Sequence, residues 1–239
     1  MVPNWLRNET KRYKIPIELL ATFGAHQNYR SLNELLSAFI EGVIATSTLE
    51  WIAVITGIMS VWCSMKENIL VYPFGIVSVL IYVYLAFNYK LYADMGVNSY
   101  YFVMSVYGWI HWTDTSGDRA QIPVTVNDAR EWLITAALLI GSFGILVFVL
   151  MNFTDSDVPV WDATTTCFAI TGMWLMARKK LENWIAWIIC DLISIPLYFY
   201  KGLVLTSVQF LLFTILAIAG YVAWKKSLEK EKIEGATGA

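Results

Sequence analysis

The chain has 239 residues, a formal net charge of -2, 57% hydrophobic residues and 15% charged residues, and its mean hydropathy is +0.54. This composition lies outside the range of soluble globular domains and predicts an integral membrane protein whose surroundings are a lipid bilayer. Nucleic acid is not an expected partner, because the chain has no basic excess. Cys63, Cys167 and Cys190 lie in apolar runs without metal-ligand spacing, so we expect no disulfide, metal or cofactor site.

The first segment of interest, "SLNELLSAFIEGVIATS" at 31–47, combines helical apolar spacing with Glu34 and Glu41. We interpret it as an amphipathic helix at the membrane interface. The alternative is an eighth, short crossing, which would bring the basic residues before it to the cytoplasm. Those residues are Arg7, Lys11, Arg12 and Lys14.

Seven apolar segments of roughly 20 residues follow, the length that a bilayer core requires. Only helices satisfy their own backbone groups within so short a stretch of hydrocarbon, so the predicted class is an all-α integral membrane protein with seven core transmembrane helices plus the N-terminal helix. The segments are 48–65, 69–87, 98–112, 132–153, 160–177, 184–200 and 203–224.

The distribution of basic residues predicts the orientation. Arg178, Lys179 and Lys180 follow the fifth segment, and Lys225, Lys226, Lys230 and Lys232 follow the seventh. Cytoplasmic loops are enriched in Lys and Arg, so this side and the tail at 227–239 are expected in the cytoplasm. The loop "TDSDVPVWD", which has no Lys or Arg, agrees with the opposite face.

An internal repeat is indicated by paired motifs. "TGIMSVWCSMKEN" at 56–68 matches "TGMWLMARKKLEN" at 171–183 at an offset of 115, and "GWIHW" at 108–112 matches "GYVAW" at 220–224 at an offset of 112. The difference predicts a three-residue excess in the "NYKLYADM" connection. Two three-helix bundles, 48–113 and 160–226, would then share one orientation across a linker helix at 131–153, with the substrate between them.

Asp191 lies at the middle of the sixth segment, "ENWIAWIICDLISIPLYFYKG". A charged residue at a helix centre costs about 2.5 to 3.5 kcal/mol, so it is expected to face protein or water and to be functional. Helical spacing puts it on one stripe with Trp184, Trp187, Ser194 and Tyr198. The alternative is a purely structural contact between helices.

Amides and aromatic residues complete the predicted pocket. Asn98 and Gln209 stand at roughly equivalent repeat positions and offer both donors and acceptors, whereas Asn68 and Asn183 start helices and could instead be caps. Aromatic residues within helices could stack on a flat, cationic ring. The candidate substrate-binding residues are Trp62, Asn68, Tyr72, Asn98, Asn183, Trp184, Trp187, Asp191, Tyr198 and Gln209.

The stretch "ENWIAWIICDLISIPLYFYKGL", together with "TSVQFLLFTILAIAGYVAWKK" and "YGWIHW", resembles the PnuC family of vitamin transporters. The resemblance implies uptake of nicotinamide riboside, a vitamin B3 form and NAD precursor, across the bacterial inner membrane by facilitated diffusion with alternating access. It also implies a SWEET-like layout of three, one and three helices and a homotrimer. Asn183, Trp187 and Gln209 match positions of expected substrate contacts.

Two other functions are alternatives to this interpretation. A carrier for another flat polar metabolite, such as a different nucleoside, thiamine or a sugar, would have a similar pocket. An intramembrane enzyme needs convergent acid, base, nucleophile or metal-ligand groups, and the sequence has only two histidines and no HExxH or GxSxG motif. We therefore predict a transporter rather than an enzyme, and passive transport rather than proton coupling, since Asp191 alone does not make a relay.

Overall fold

The computed structural model describes residues 32–89, 91–114, 122–154 and 156–237. The basic residues that would favour an eighth crossing, Arg7, Lys11, Arg12 and Lys14, lie outside the described residues.

The described chain consists of α-helices joined by short connections, as the composition predicts. The helices are α1 (Leu32–Ala45), α2 (Thr48–Met65), α3 (Val71–Asn88), α4 (Tyr92–Trp112), α5 (Ala129–Phe153), α6 (Pro159–Ala177), α7 (Asn183–Tyr200) and α8 (Val204–Thr237). Capping boxes start two of them: the side chains of Ser47 and Asp128 accept from backbone N–H groups three residues on, and Glu50 and Glu131 reciprocate.

Two helices extend beyond the predicted segments. α4 begins at Tyr92 rather than at 98. Asp94 is tolerated in its first turn, because a negative charge at the start of a helix interacts favourably with the helix dipole. α8 continues to Thr237 without a break through the predicted tail, which is rich in the strong helix formers Lys and Glu.

Five helices in the described part of the chain are long and apolar enough to cross a membrane: α2, α3, α5, α7 and α8. α4 and α6 are of similar length but carry more polar residues, among them Asn98 and Ser105 in α4 and Thr165 and Thr171 in α6. Their polar residues face other helices and an internal cavity, so these helices need less apolar surface toward lipid.

Six helices form a closed ring. In order around it, α2 packs on α3, α3 on α4, α4 on α6, α6 on α7, α7 on α8, and α8 on α2. α5 packs outside the ring against α6, and α1 packs outside against α8, where Leu205 approaches Gly42. The ring encloses the cavity described below.

The two halves of the ring match at one constant offset. α2 and α6 end at 65 and 177, residues 71–88 of α3 correspond to 183–200 of α7, and α4 and α8 begin at 92 and 204, so the three helix pairs share an offset of 112. The predicted offset of 115 and the three-residue excess are therefore wrong. Thr171 corresponds to Met59, and the shared Thr-Gly and Glu-Asn pairs are coincidences.

Aromatic side chains rest on glycines at equivalent places in the two halves. A Cβ added to Gly108 would lie 2.5 Å from the Tyr72 hydroxyl, and one added to Gly220 would lie 2.5 Å from a ring carbon of Trp184. Tyr72 meets Trp112 edge to face at 5.3 Å, and Trp184 meets Trp224 in the same way at 5.4 Å. These contacts set the spacing of α3 from α4 and of α7 from α8.

A buried ion pair joins the equivalent turns that follow α2 and α6. Glu67 and Lys179 both have left-handed backbones, with φ of 54° and 56°, and Lys179 Nζ lies 2.9 Å from Glu67 Oε2. Lys179 is 2% exposed, donates to the Ile122 carbonyl oxygen at 2.7 Å and lies over the Trp112 ring. The two halves are thus tied together at this end of the ring.

The segment before α5 is fastened to the same turn. Thr125 pairs with the backbone of Lys179 and Leu181, and Glu131 at the start of α5 accepts from Arg178 at 2.9 Å and Lys180 at 2.7 Å. The basic cluster that predicted the orientation is therefore engaged in ion pairs within the protein.

Substituting Gly108 or Gly220 by alanine is predicted to destabilise the protein by about 1 to 3 kcal/mol, because the new methyl group overlaps a rigid aromatic ring. Thermal unfolding of the purified protein in detergent measures this. Gly96→Ala is the control in α4, since nothing lies within 4 Å of its added Cβ. Equal stability of Gly96→Ala and Gly108→Ala would contradict the packing described here.

Replacing Glu67 by glutamine is predicted to destabilise the fold by about 3 to 5 kcal/mol, because it leaves the buried Lys179 ammonium without a counter-charge. The same measurement on Glu234→Gln is the control, since the Lys230–Glu234 pair is exposed and is expected to be worth less than about 1 kcal/mol. Similar small losses in both variants would show that the buried pair does not hold the two halves together.

Candidate substrate-binding site

The helical ring encloses a cavity of about 400 Å³, within the usual range for small-molecule sites. One wall is a polar stripe on α4, whose side chains recur every three or four residues and so share a face. The stripe consists of Asp94, Asn98, Tyr101 and Ser105. Asn98 donates through Nδ2 to the Asp94 carbonyl oxygen at 2.9 Å, so its Oδ1 remains available to accept from a ligand.

The second polar wall is the predicted stripe of α7. Trp184, Trp187, Asp191, Ser194 and Tyr198 all line the cavity. Asp191 is 3% exposed, and its carboxylate has no hydrogen bond or ion pair with any residue in the described ranges. A buried carboxylate without a partner is costly, which favours a donor or a cation in the cavity beside it.

Aromatic rings connect the two polar walls. Tyr101 of α4 meets Trp187 of α7 with ring centroids 6.4 Å apart, and the Trp187 ring also lies 3.0 Å from the position of a Cβ on Gly172. Gly172 therefore makes room for the indole at the cavity wall. An indole face beside a carboxylate is suited to a flat, positively charged ring.

The opposite side of the cavity lacks carboxylates at the equivalent positions. An offset of 112 relates Asp191 to Val79, Trp187 to Gly75, and Asn98, Tyr101 and Ser105 of α4 to Phe210, Phe213 and Ala217 of α8. The polar groups of the described lining on that side are hydroxyls, such as those of Ser60, Ser78 and Tyr82, and the amide of Gln209. The frame of the cavity is nearly symmetric, whereas its carboxylates lie on one side.

One end of the cavity is closed by a buried cluster that includes Tyr72, Trp112, Trp184 and Trp224. Trp224 Nε1 donates to the Ser64 carbonyl oxygen at 2.9 Å. Four buried polar atoms here have no partner among the described residues: Ser64 Oγ, Tyr72 OH, Trp112 Nε1 and Trp184 Nε1. Buried polar groups without a partner are costly, so these four atoms make the packing of the cluster less favourable than it would be with every group paired.

We call the other end of the cavity the mouth. Asp94 lines it, and the side chain of Asp94 is exposed. Close by, Lys201 Nζ lies 2.6 Å from Asp162 Oδ1, and Ser156 Oγ donates to the second oxygen of Asp162 at 2.7 Å. None of the described residues that line the cavity is Lys, Arg or His. The formal charges of the lining, on Asp94 and Asp191, are both negative.

Seven of the ten predicted site residues line the cavity: Tyr72, Asn98, Trp184, Trp187, Asp191, Tyr198 and Gln209. The structure places the other three elsewhere. Trp62 is 47% exposed on the outer face of α2, and Lys66 lies over its ring. Asn68 accepts from the Leu70 backbone N–H at 2.9 Å in an exposed turn, and Asn183 is fully buried and donates to the Lys180 carbonyl oxygen at 2.6 Å.

Sequence reasoning missed several lining residues, notably Asp94, Tyr101, Ser105 and Ser64. The spacing from Asp94 through Asn98 and Tyr101 to Ser105 is a helical stripe and could have revealed three of them. The predicted segment began at 98 and therefore left out Asp94, the most polar residue of the stripe. Ser64 belongs to a weaker signal, a stripe of small residues on α2 that it shares with Gly57 and Ser60, both of which also line the cavity.

Comparison with known proteins gives consistent matches. A family profile described as "Nicotinamide mononucleotide transporter" matches residues 47–226. The nicotinamide riboside transporter PnuC of Escherichia coli is 25% identical over 76% of this chain and 86% of its own length, and that of Neisseria mucosa is 26% identical over 87% and 85%. The riboflavin/roseoflavin transporter RibM of Streptomyces davaonensis is 24% identical over 71% and 81%.

A crystal structure of the vitamin B3 transporter PnuC shares the fold, with a TM-score of 0.63 and 24% identity over 82% of this chain and 90% of that one. The relatives are bacterial membrane transporters, and this chain has several helices that can cross a membrane. Because the family profile covers most of the chain, from the first residues of α2 to the middle of α8, this multi-pass membrane protein belongs to the PnuC family of transporters and not to a family of enzymes.

Proposed function

We propose that the protein takes up nicotinamide riboside by facilitated diffusion with alternating access. The observation that carries the proposal is the cavity of the helical ring, in which an indole, a tyrosine and an unpartnered carboxylate lie together and no described lining residue is cationic. The substrate is a pyridinium ring bearing a carboxamide and a ribose. Such a molecule needs an aromatic face, a counter-charge and several hydrogen-bonding groups.

Each part of this substrate has suitable groups in the proposed site. Trp187 and Tyr101 offer ring faces, and Asp191 offers the counter-charge. The amides of Asn98 and Gln209 pair with hydroxyl or carboxamide groups, whereas Tyr72, Trp184 and Tyr198 bound the space. Trp62, Asn68 and Asn183 are left out of the proposed contacts because they do not line the cavity.

The riboside is favoured over its phosphorylated form, although the description of the family profile names the mononucleotide. Phosphate groups in proteins are bound by Arg, Lys or helix N-termini. The described lining of the cavity has no Lys, Arg or His and carries two carboxylates, which would repel a phosphate. The curated relatives named for the riboside agree with this choice.

We also propose that the ring is the SWEET-like layout of three, one and three helices that the family resemblance implies. The bundles of α2–α4 and α6–α8 at a constant offset of 112, with α5 between them in sequence, support this proposal. An odd number of intervening crossings gives both bundles one orientation, so the cavity between them can open to either side in turn. The closed cluster around Trp184 and Trp224 would be one of the two gates.

Orientation and assembly are parts of the same proposal. The end with Lys225, Lys226 and Lys230 is assigned to the cytoplasm of the bacterial inner membrane, following the excess of basic residues in cytoplasmic loops. A homotrimer follows from the resemblance. α5 supports it, since this helix stands outside the ring and presents apolar side chains, such as Ile140 and Phe148, that lipid or another protomer must cover.

A second candidate is the transport of a larger flat metabolite such as a flavin. The 24% identity with the riboflavin/roseoflavin transporter RibM favours it. The negative charge of the cavity lining favours the cationic riboside instead, because a neutral ring system can donate a hydrogen bond to Asp191 but supplies no counter-charge.

Purified protein in liposomes without an ion gradient is predicted to equilibrate nicotinamide riboside across the membrane. The mononucleotide is predicted to stay outside, because its phosphate meets two carboxylates and no cation. Radiolabelled uptake measures both. Uptake of the mononucleotide at a comparable rate, or riboside transport only under a proton or sodium gradient, would contradict the proposal.

Three substitutions test the site: Trp187→Ala, Asp191→Asn and Gln209→Ala. Each is predicted to weaken riboside binding by about tenfold or more, because it removes a ring face, a counter-charge or an amide from a dry cavity. Calorimetric titration measures the affinity. Trp132→Ala is the control, since Trp132 is half exposed on α5 outside the ring. Affinity like that of the wild type in all three variants would exclude this cavity as the binding site.

A further inference from the structure

We propose that Asp94 is a second recognition residue, a carboxylate at the mouth of the cavity. It attracts a cationic substrate and repels anionic groups before they reach Asp191. This inference rests on the function proposed above and adds to it a residue that determines specificity by charge. Three features support this role: the position of Asp94, the lack of a close counter-charge among the described residues, and a second carboxylate deeper in the cavity.

Asp94 belongs to the lining of the cavity. It lies in the first turn of α4, on the same helical stripe as Asn98, Tyr101 and Ser105, all of which line the cavity. Tyr101 is seven residues further along α4, about 10 Å at 1.5 Å per residue. Asp94 therefore stands at the mouth, roughly two helical turns before the aromatic pair of Tyr101 and Trp187.

The charge of Asp94 is not neutralised by a close partner. Its carboxylate makes no hydrogen bond or ion pair with the residues of the described ranges. The cation within electrostatic reach is Lys201, whose ammonium is held by Asp162 at 2.6 Å. Because the ion pair of Lys201 with Asp162 carries no net charge, the formal negative charge of Asp94 is not compensated by these described residues.

A second carboxylate lies deeper along the same path. Asp191 lines the cavity, is buried and has no partner among the described residues, and Trp187 stands one turn away from it on α7. The lining contains no Lys, Arg or His in the described part of the chain. Beyond the ion pair of Lys201 at the mouth, a cation that enters at Asp94 passes an indole and reaches another carboxylate without meeting a positive charge in the described lining.

A simpler role for Asp94 is to stabilise the start of α4, since acids in a first turn interact favourably with the helix dipole. That role would be fulfilled on any face of the helix, and it would not depend on the charge of the substrate. The two roles therefore predict different effects on substrate binding when the charge of Asp94 is removed. A recognition residue affects cations selectively, whereas a helix-stabilising residue affects all substrates alike.

The physical effect expected of Asp94 is mainly on the rate of association. Charge of one sign at the mouth of a cavity with low-dielectric walls focuses the field and raises the local concentration of the opposite charge. Salt screens such an effect, since the Debye length falls to about 3 Å at 1 M ionic strength. The contribution of Asp94 is therefore predicted to be largest at low salt.

The test compares wild type, Asp94→Asn and Glu41→Gln in detergent, with association followed by stopped-flow tryptophan fluorescence. Glu41 is a matched control, because it is an exposed acid on α1 outside the ring and its loss changes the net charge equally. The ligands are nicotinamide riboside, which is a cation, its neutral 1,4-dihydro form, and the zwitterionic riboside of nicotinic acid.

In Asp94→Asn, association of the riboside is predicted to be about fivefold slower at low salt, and the difference is predicted to vanish near 1 M salt. Association of the neutral form stays unchanged, the preference for the cation over the zwitterion falls, and Glu41→Gln behaves as wild type. Unchanged rates in Asp94→Asn, or equal slowing for all three ligands, would overturn the inference alone. Absence of riboside binding by the wild type would instead overturn the proposed function, and the inference with it.

Discussion

The contact of a large aromatic ring with a glycine, made once in each half of the helical ring, is the constraint on which the rest of the structure depends. Tyr72 on Gly108 and Trp184 on Gly220 bring neighbouring helices so close that no larger residue fits. Each ring then meets a tryptophan edge to face, and the two tryptophans, Trp112 and Trp224, meet each other at 5.8 Å. One end of the cavity is closed by these contacts, and the helices above them are held at the spacing that leaves room for a ligand.

Matching positions in the two halves of the helical ring carry different side chains. Ser78 donates to the Ala53 carbonyl oxygen at 2.8 Å in one half, and Cys190 contacts the Thr165 carbonyl oxygen at 3.3 Å at the matching place in the other. Along the cavity, by contrast, Asp191 of α7 corresponds to Val79 of α3, and Asn98 of α4 corresponds to Phe210 of α8. A nearly symmetric scaffold permits the rearrangement of two similar halves, whereas an asymmetric lining suits an asymmetric ligand.

The sequence predicted the helices well, because runs of apolar residues mark membrane helices directly. It predicted the stripe of α7 because that helix has a clear polar face around Asp191. It failed where the signal was local or absent: two shared dipeptides suggested a false offset of 115, and Asp94 fell outside a segment defined by hydropathy. Trp62 lies on the outer face of α2, whereas Gly57, Ser60 and Ser64 line the cavity, so small residues rather than an aromatic one mark the inner face of this helix.

The proposed function requires that the riboside binds between α4 and α7 inside the ring. A structure determined with nicotinamide riboside shows whether it does. We predict density for the ligand in the cavity, with its pyridinium ring against Trp187 and its positive charge toward Asp191. An empty cavity with ligand density elsewhere, or a bound ligand whose ring lies against the apolar wall of α8 away from Asp191, would contradict the claim.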